Sequence, residues 1–450
     1  MSGHDITEAI KYLEQFQFHG FRLGLERMEA ILSALGNPHL SYPVIHVAGS
    51  NGKGSTCAAI HSILTEAGYR CGFYSSPHLF RLNERFMMGR GLISDEELAK
   101  WIFRIKELVE AGYELSYFEY TTAVALAWFS EKEVDIAILE TGLGGRLDAT
   151  NIIPSPLVSV ITTVSLEHQH WLGSTIKEIA WEKAGIIKPG SPVVSTVLDE
   201  EAAGVIEKRS KELNSPLYRI GREFSVSSNG EDGRFGFTFR ERRIDGLRFA
   251  LSGRHQLMNA AAACASAMLL NEKGLKVEDG AIVAGLKRAS WPCRCELLPP
   301  SYPNMPRVLL DGAHNLEGIT ALKDFLERIL AQKSFKNRVL LWACSNEGGD
   351  KPFLELLGQV SPLFQHVIIT EPPGPRVPVK AEQWRRALNQ AGGLEKDSQA
   401  ALDIEPAWMD ALQKGLCLAG PEGLLVTAGS LYLAGAVRES LMKKANPIQK

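Results

Sequence analysis

The sequence predicts an α/β fold with two domains, and three observations support this prediction. Apolar strand-like runs alternate with helical segments, a glycine-rich loop joins the first of these strands to a helix, and a second alternation begins after residue 292. Alternation of this kind is typical of a mainly parallel sheet that carries helices on both faces. A length of 450 residues is enough for two or three domains that each bury a core.

The first domain is predicted over residues 1–290. Apolar residues recur at helical spacing in the first forty positions, and Gly36-Asn37-Pro38 ends that pattern. Strands follow at 44–48, 71–75, 136–140, 157–164 and 193–196, and helices lie near 55–67, 95–111, 121–130 and 176–184. From residue 224 to 251 apolar and polar residues alternate, which predicts antiparallel hairpins at the edge of the same domain.

A second, smaller domain is predicted over residues 291–450. A polar segment with several prolines, at 299–306, lies near its start, and four short apolar runs with helical segments between them follow it. These runs cover 308–311, 339–343, 366–370 and 424–428. The pattern predicts a Rossmann-like α/β domain of ordinary size.

Composition indicates a soluble globular protein of the cytoplasm. A net charge of −3 argues against a general nucleic-acid surface, and the longest apolar stretch, 260–270, is too short to span a membrane. The N-terminus lacks the features of a secretory signal. Seven cysteines without a C-x-x-C pair favour free thiols; Cys293 and Cys295 could be a ligand pair, but no second pair would complete a zinc site.

The loop VAGSNGKGST at 47–56 has the features of a phosphate-binding loop. Its three glycines permit backbone torsions that turn successive N–H groups into one concavity: Gly49, Gly52 and Gly54. A helix that opens near Ser55 adds its N-terminal donors, Lys53 adds a mobile cation, and Ser55 or Thr56 adds a hydroxyl near a metal.

This loop departs from the strict pattern G-x-x-x-x-G-K-[ST], since Val47 replaces the first glycine and Gly54 separates Lys53 from Ser55. A flexible surface turn is the alternative, but such a turn would not need a lysine between glycines at a strand-to-helix junction. We therefore predict a P-loop ATP-binding parallel-sheet domain with a β-hairpin edge, followed by the smaller Rossmann-like domain.

Polar residues lie at or just after the ends of the predicted strands in both domains: Glu140 and Asp311 end strands, and Ser76 and His168 follow them. Because open α/β sheets bind ligands at the carboxyl ends of their strands, we expect one site in the cleft between the domains. Glu140 is a suitable Mg²⁺ ligand, although a pair with Arg146 is the alternative. His168 taken alone is more typical of a surface group, whereas Lys183 lies among apolar and small residues.

These segments resemble the folylpolyglutamate synthase and dihydrofolate synthase family, which is the folate branch of the Mur ligases. The motifs that carry the resemblance occur in one order along most of the chain: GLERMEAILSALGNP, HVAGSNGKGST, FYSSPHLFRLNERF, ETGLGGRLDATN, EHQHWLGSTIKEIAWEKAGIIKPG, GRHQLMNAAAA, WPCRCE, DGAHN and GSLYLAG. Ser50 stands where many members have threonine and Glu167 where aspartate is usual. Pro352 also departs from the family pattern, so Asp350 and Lys351 receive no role.

The resemblance implies a set of site residues. Asn259 would contact adenine, and Arg294 and Asp311 of the second domain would also bind ATP. The ATP phosphates would be bound by the glycine loop and the start of the following helix: Gly49, Asn51, Gly52, Lys53, Gly54, Ser55 and Thr56. Two Mg²⁺ ions would be held by Ser76, Glu140, His168 and a carbamylated Lys183. The residues expected nearest the reacting phosphate are Lys53, Lys183, Asp311 and His314. Phe80 would contact a pterin or benzoyl ring and Arg81 and Arg85 would meet carboxylates, unless these side chains only hold their loop in place.

The implied activity is an ATP-dependent ligase that adds L-glutamate to dihydropteroate and to reduced folates through an acyl phosphate. A monomer with small-molecule substrates and no nucleic-acid or membrane partner is expected. Three alternatives remain: a Mur-type amide ligase on a peptidoglycan precursor, an enzyme for folate polyglutamylation only, and a nucleotide-gated binding protein that has lost catalysis.

Overall fold

The computed structural model describes residues 5–19, 24–228, 233–299, 305–346, 352–393 and 400–445. It divides into two compact units, one formed by Met1–Ala250 with Gln256–Ser290 and one by Leu251–His255 with Trp291–Lys450. Most of the proline-containing segment 299–306 lies outside the described residues. The same is true of most of the segment 347–353, in which Pro352 departs from the family pattern.

The first unit contains an eight-stranded sheet. Its strands are β1 (Val44–Ala48), β2 (Cys71–Tyr74), β3 (Phe86–Met88), β4 (Gly91–Leu92), β5 (Ile136–Glu140), β6 (Val158–Ile161), β7 (Val193–Ser195) and β8 (Leu217–Arg219). The strand order is β4-β3-β2-β5-β1-β6-β7-β8. The strands from β2 to β8 in this order are parallel, and β3 and β4 add an antiparallel edge.

Ten helices are described between or beside these strands: α1 (Ile6–Glu14), α2 (Glu26–Ala34), α3 (Lys53–Glu66), α4 (Asp95–Glu110), α5 (Tyr117–Glu131), α6 (Gln169–Leu172), α7 (Ile176–Ala184), α8 (Glu200–Glu212), α9 (His255–Glu272) and α10 (Asp279–Arg288). Capping boxes at Ser94, Ser116 and Thr175 fix the starts of α4, α5 and α7. Helices α4 and α5 pack with α1, α2 and strands β1, β2 and β5 in one core, whereas α7 and α8 pack in another.

The antiparallel hairpins predicted at 224–251 form a sheet of their own. This sheet has the order β11-β10-β9, from β9 (Phe224–Ser228), β10 (Arg234–Phe239) and β11 (Arg242–Arg248). The predicted hairpins are therefore present in this unit, as a sheet separate from the large one, whose two edge strands are β4 and β8. The alternation of apolar and polar residues correctly predicts that one face of these strands is buried, and Phe235, Phe237 and Phe239 form that face. It does not predict which element packs against the face.

The second unit is built on a six-stranded sheet of order β12-β13-β17-β14-β15-β16. Its strands are β12 (Glu296–Leu298), β13 (Arg307–Leu310), β14 (Arg338–Trp342), β15 (His366–Ile369), β16 (Ala401–Ile404) and β17 (Leu424–Ala428). Only β12 is antiparallel to its neighbour. The helices of this unit are α11 (Leu316–Gln332), α12 (Phe353–Gly358), α13 (Ala381–Ala391), α14 (Trp408–Ala419) and α15 (Leu431–Ala445). The predicted α/β class is confirmed.

Candidate active site

Four neighbouring parallel strands, β2, β5, β1 and β6, end at the same edge of the large sheet. Ser76 follows β2, Glu140 is the last residue of β5, and the glycine loop follows β1. Residues 162–168 follow β6. The sheet topology therefore brings the predicted phosphate loop and three of the predicted metal ligands, Ser76, Glu140 and His168, to one edge.

The glycine loop turns directly from β1 into α3, which begins at Lys53, two residues earlier than predicted. Gly52 caps this helix with φ 85°, and Gly49 has φ 154°. A Cβ atom on Gly49 would lie 1.9 Å from Thr162 Oγ1, and one on Gly52 would lie 2.3 Å from Asn259 Oδ1. Both positions therefore require glycine, for the backbone conformation and for the close approach of a neighbour.

Two threonines after β6 hold the glycine loop. The backbone N–H of Asn51 donates to Thr163 Oγ1 at 2.9 Å, and Thr162 Oγ1 donates to the carbonyl of Asn51 at 2.6 Å. The Ser50 amide donates to the carbonyl of Thr163 at 2.8 Å. Neither threonine was predicted, because both lay inside the predicted strand 157–164, whereas β6 ends at Ile161.

The Lys53 ammonium lies over the loop that precedes it. Its Nζ donates to the carbonyl of Gly49 at 2.7 Å and to that of Ser50 at 3.1 Å. These contacts hold a positive charge at the N-terminus of α3, where the helix dipole also favours an anion.

Helix α9 supports the loop and the first turn of α3. Thr56 Oγ1 donates to Asn259 Oδ1 at 3.3 Å, and Asn259 Nδ2 donates to Gln256 Oε1 at 2.8 Å. Gln256 Nε2 donates in turn to Ser55 Oγ at 3.4 Å. Asn259 thus contacts the phosphate loop, and its contact with adenine stays a prediction. Gln256 was not predicted, although it lies three residues before Asn259 on the same helix face.

Glu140 is buried, with 5% of its surface exposed, and its Oε2 accepts the backbone N–H of Ser76 at 3.3 Å. The alternative partner Arg146 pairs instead with Glu182 at 2.9 Å. A buried carboxylate at a strand end, beside a serine, is a donor set that suits Mg²⁺. The residues present therefore fit the predicted metal site.

Lys183 is almost fully buried, and its Nζ lies 2.7 Å from Glu167 Oε1. Burial raises the pKa of Glu167, but Lys183 and Lys53 outweigh this effect and bring that pKa down to about 2. His168, next in the chain, caps α6 with a left-handed backbone. The backbone N–H of Ser165 donates to Ser50 Oγ at 2.9 Å, which joins the segment before Glu167 to the glycine loop.

No three His, Cys, Asp or Glu side chains converge on a possible metal position in the part of the chain that is described. The predicted set contains two residues of these types, Glu140 and His168, so it depends on Ser76 and Lys183 for its remaining ligands. The seven cysteines are free thiols, as predicted, and six of them are buried.

The predicted substrate residues lie in different environments. Phe80 is 51% exposed, whereas Arg81 pairs with Asp95 at 2.7 Å. Arg85 is buried, donates from Nε to His78 Nδ1 at 3.0 Å, and lies 5.3 Å from the centre of the Tyr117 ring. A cavity of about 230 Å³ between α1 and this loop includes Phe80 and Arg81 in its lining.

In the second unit, the turn around Arg294, before β12, is hydrogen-bonded to the loop after β13 that contains Asp311 and His314. Asp311 Oδ2 accepts the backbone N–H of Cys295 at 2.7 Å, and Oδ1 accepts that of Ala313 at 2.8 Å. His314 Nδ1 lies 2.9 Å from the carbonyl of Gly312. His255 shares this environment: burial lowers its pKa, Asp311 opposes that shift and Arg294 adds to it.

Comparison with known proteins decides the family. Residues 47–267 match the Mur ligase middle domain. The chain is 34% identical over 438 residues to the dihydrofolate synthase/folylpolyglutamate synthase of Bacillus subtilis, with 94% of this chain and 96% of the relative covered. The chain belongs to the dihydrofolate synthase/folylpolyglutamate synthase family.

Other members of this family agree with the assignment. The folylpolyglutamate synthase of Lacticaseibacillus casei is 34% identical, over 97% of this chain and 98% of its own. The solved structure of Escherichia coli FolC in complex with DHPP and ADP superposes with a TM-score of 0.83 at 30% identity, and 98% of each chain is covered. The predicted family, and with it an ATP-dependent ligase of the folate type, is confirmed. No described helix combines the length and the apolar character that a bilayer crossing needs.

Proposed function

We propose that this family member adds L-glutamate both to dihydropteroate and to reduced folates, with ATP as the energy source. The observation that carries the proposal is the edge of the large sheet at which Lys53 and the glycine loop lie beside the buried carboxylate of Glu140. A relative with both activities in its name, 34% identical over nearly the whole chain, supports the pair of acceptors.

The chemistry requires activation of a poor acylating agent. A carboxylate oxygen of the acceptor attacks the γ-phosphorus of ATP, ADP leaves, and an acyl phosphate forms. The amine of glutamate then attacks the acyl carbon, and inorganic phosphate leaves from the tetrahedral intermediate. Lys53 and the loop amides neutralise charge on the transferred phosphoryl group.

Ser76, Glu140 and His168, with Lys183 once it is carbamylated, are the residues that would hold two Mg²⁺ ions. Bound Mg²⁺ supplies positive charge to the phosphate oxygens. An unmodified ammonium would repel the metal, whereas a carbamate turns Lys183 into a carboxylate-like ligand. Burial of Lys183 against Glu167, which lies in the segment that follows β6, supports this part of the proposal.

The second unit contributes Arg294, Asp311 and His314 to the same proposal. Arg294 and His314 carry the groups suited to phosphate, while the Asp311 carboxylate already accepts two backbone amides. A monomer in the cytoplasm is also proposed: the resemblance implies the first, and the free, mostly buried thiols fit a reducing compartment.

A second candidate function is folate polyglutamylation alone. The observation that favours it is that the Lacticaseibacillus casei relative, at the same 34% identity, is named folylpolyglutamate synthase only. Both candidates share the ATP chemistry and differ only in whether dihydropteroate is an acceptor.

A product assay separates the two candidates. Purified protein is incubated with MgATP, L-glutamate and either dihydropteroate or tetrahydrofolate, and products are identified by mass alongside phosphate release. The proposal requires a glutamylated product from both acceptors. Turnover of tetrahydrofolate alone would leave polyglutamylation only, and turnover of neither would refute the ligase proposal. The Lys53→Ala variant is the control that assigns the activity to this protein.

A further inference from the structure

Arg294 lies between two residues with left-handed backbone conformations. Cys293 has φ 58° and Cys295 has φ 46°. Non-glycine residues rarely adopt this conformation, and they keep it only when the surrounding structure holds them in it. The contacts of these two cysteines therefore show what fixes the turn that presents Arg294.

Two carboxylates hold the turn, one on each side of Arg294. The backbone N–H of Cys293 donates to Glu296 Oε2 at 2.9 Å, and that of Cys295 donates to Asp311 Oδ2 at 2.7 Å. The carbonyl of Cys293 accepts the amide of Gly312 at 2.8 Å. The turn is thus joined to the loop after β13 and to the start of β12.

Glu296 is itself fixed by an arginine from α15. Arg438 Nε lies 3.0 Å from both carboxylate oxygens of Glu296, and both side chains are partly buried. One carboxylate therefore accepts the amide of Cys293 and the guanidinium of Arg438 together. A neutral side chain at position 296 could not bind both donors as strongly.

The turn directs the Arg294 side chain across Gly312. A Cβ atom on Gly312 would lie 3.3 Å from Arg294 Nη1 and 2.4 Å from Leu431 Cδ1. The guanidinium therefore lies close to the backbone of Gly312, where a side chain at position 312 would leave little room for it. A small rotation of the turn would move the guanidinium away from Gly312, because the Arg294 side chain is attached to the backbone of this turn.

We propose that Glu296, held by Arg438, is a positioning residue that sets the direction of Arg294. The proposal rests on the proposed function insofar as Arg294 acts on the ATP phosphates. Glu296 contacts the turn and Arg438 rather than the reacting atoms, so it would act only through Arg294. Loss of Glu296 should therefore have no further effect on turnover once Arg294 has been removed.

The first test does not depend on activity. Cys293 and Cys295 are buried, whereas Cys417 is exposed, so a thiol reagent such as dithionitrobenzoate should react rapidly with one thiol in the native protein. In Glu296→Ala the released turn should expose two more, giving three rapidly reacting thiols. An unchanged count in Glu296→Ala would overturn the proposal. Asp403→Asn, which removes an ion pair with Lys414 in the same unit, is the matched control and should keep one reactive thiol.

The second test is a double-mutant cycle on turnover. Glu296→Ala should lower kcat roughly tenfold in the native background and less than about twofold in an Arg294→Ala background. Glu296→Gln, which retains one acceptor for the Cys293 amide, should lie between the native protein and Glu296→Ala. Equal losses in both backgrounds, or full turnover of Arg294→Ala, would overturn the positioning role. Absence of any ligase turnover in the native protein would refute the proposed function instead, and the thiol count would still report on the turn.

Discussion

The ammonium of Lys183 lies 2.7 Å from the carboxylate of Glu167, and both side chains are largely buried in the first unit. A pair of this kind offsets the desolvation of two charges only while both partners are present. Lys183 Nζ donates to Glu167 Oε1, so the ammonium and the carboxylate form a direct pair.

Removal of one member of this pair should destabilise the protein more than removal of both. In the metal-free protein without bicarbonate, where Lys183 is the ammonium seen here, we expect Lys183→Met and Glu167→Gln each to lower the free energy of unfolding by about 3 kcal/mol, because each leaves one buried charge without its partner. The double variant should lose clearly less than the sum of the two. Equilibrium urea unfolding measures these values, and strict additivity would contradict the interaction.

Lys183 should also be required for turnover. We expect Lys183→Ala to be inactive and to regain part of its turnover when acetate or another short carboxylate is added, because a small carboxylate can replace the carbamate oxygen in the space that alanine leaves. Lys188→Ala, five residues further along the chain, is the control and should show no gain with acetate. A failure of rescue across several short carboxylates would argue against carbamylation.

The fold was predictable where a strand is one continuous apolar run. Strands β1, β5 and β17 have the predicted bounds, since each run is buried along its whole length. Strands β4 and β12 were missed because the two exposed residues of β4 and the three residues of mixed burial in β12 give no periodic signal. Their pairing depends on neighbouring strands rather than on their own sequence.

The residues that carry the chemistry of the candidate site were predictable from the sequence, but the residues that hold them in position were not. Lys53, Glu140 and the glycines carry chemistry that a local motif reveals. Thr163 supports the loop from 112 positions away in the chain, and no local pattern indicates such a contact. The left-handed conformation of Cys293 was equally hidden, because cysteine does not signal it as glycine would.

Lys53→Ala should abolish turnover while the protein stays folded. The ammonium donates to the carbonyls of Gly49 and Ser50 in the neighbouring loop, so its loss should cost little stability, whereas transfer of the phosphoryl group loses its mobile cation. Turnover should fall by about a thousandfold or more, and the melting temperature should change little. Lys211→Ala, which removes an exposed lysine of α8, should leave turnover unchanged. Near-native turnover of Lys53→Ala would exclude the assigned phosphate site.

Gly52→Ala should impair nucleotide binding through the backbone. Its Cβ would meet Asn259 Oδ1 at 2.3 Å, and φ 85° is a strained conformation for alanine, so the loop must shift. Calorimetry with a non-hydrolysable ATP analogue should show at least a tenfold weaker affinity, about 1.4 kcal/mol. Gly204→Ala is the matched control, because it lies in α8 with open space around its Cβ, and it should bind normally. Equal affinities for the two variants would contradict the close packing of the loop.

Stability of the first unit should fall as the pH is lowered from neutrality. Burial lowers the pKa of His46 and His78 to about 3 and that of His61 to about 4, from 6.5 in the unfolded chain. A histidine whose pKa is lower in the folded protein than in the unfolded chain takes up a proton on unfolding at any pH between the two values. Such a histidine does not reduce stability above pH 6.5, and it lowers the free energy of unfolding progressively as the pH falls from 6.5 toward the pKa of the folded protein.

Each histidine should lower the free energy of unfolding by about 1.4 kcal/mol per pH unit once the pH is clearly below 6.5. Urea unfolding between pH 6.5 and 5 isolates this effect, because most carboxylates titrate below that range. His46→Gln removes one of the protons taken up on unfolding, so its stability should start lower yet decline less steeply, by about 1.4 kcal/mol per pH unit. An identical slope in that variant, or stability that rises toward pH 5, would show that His46 is already protonated in the folded protein.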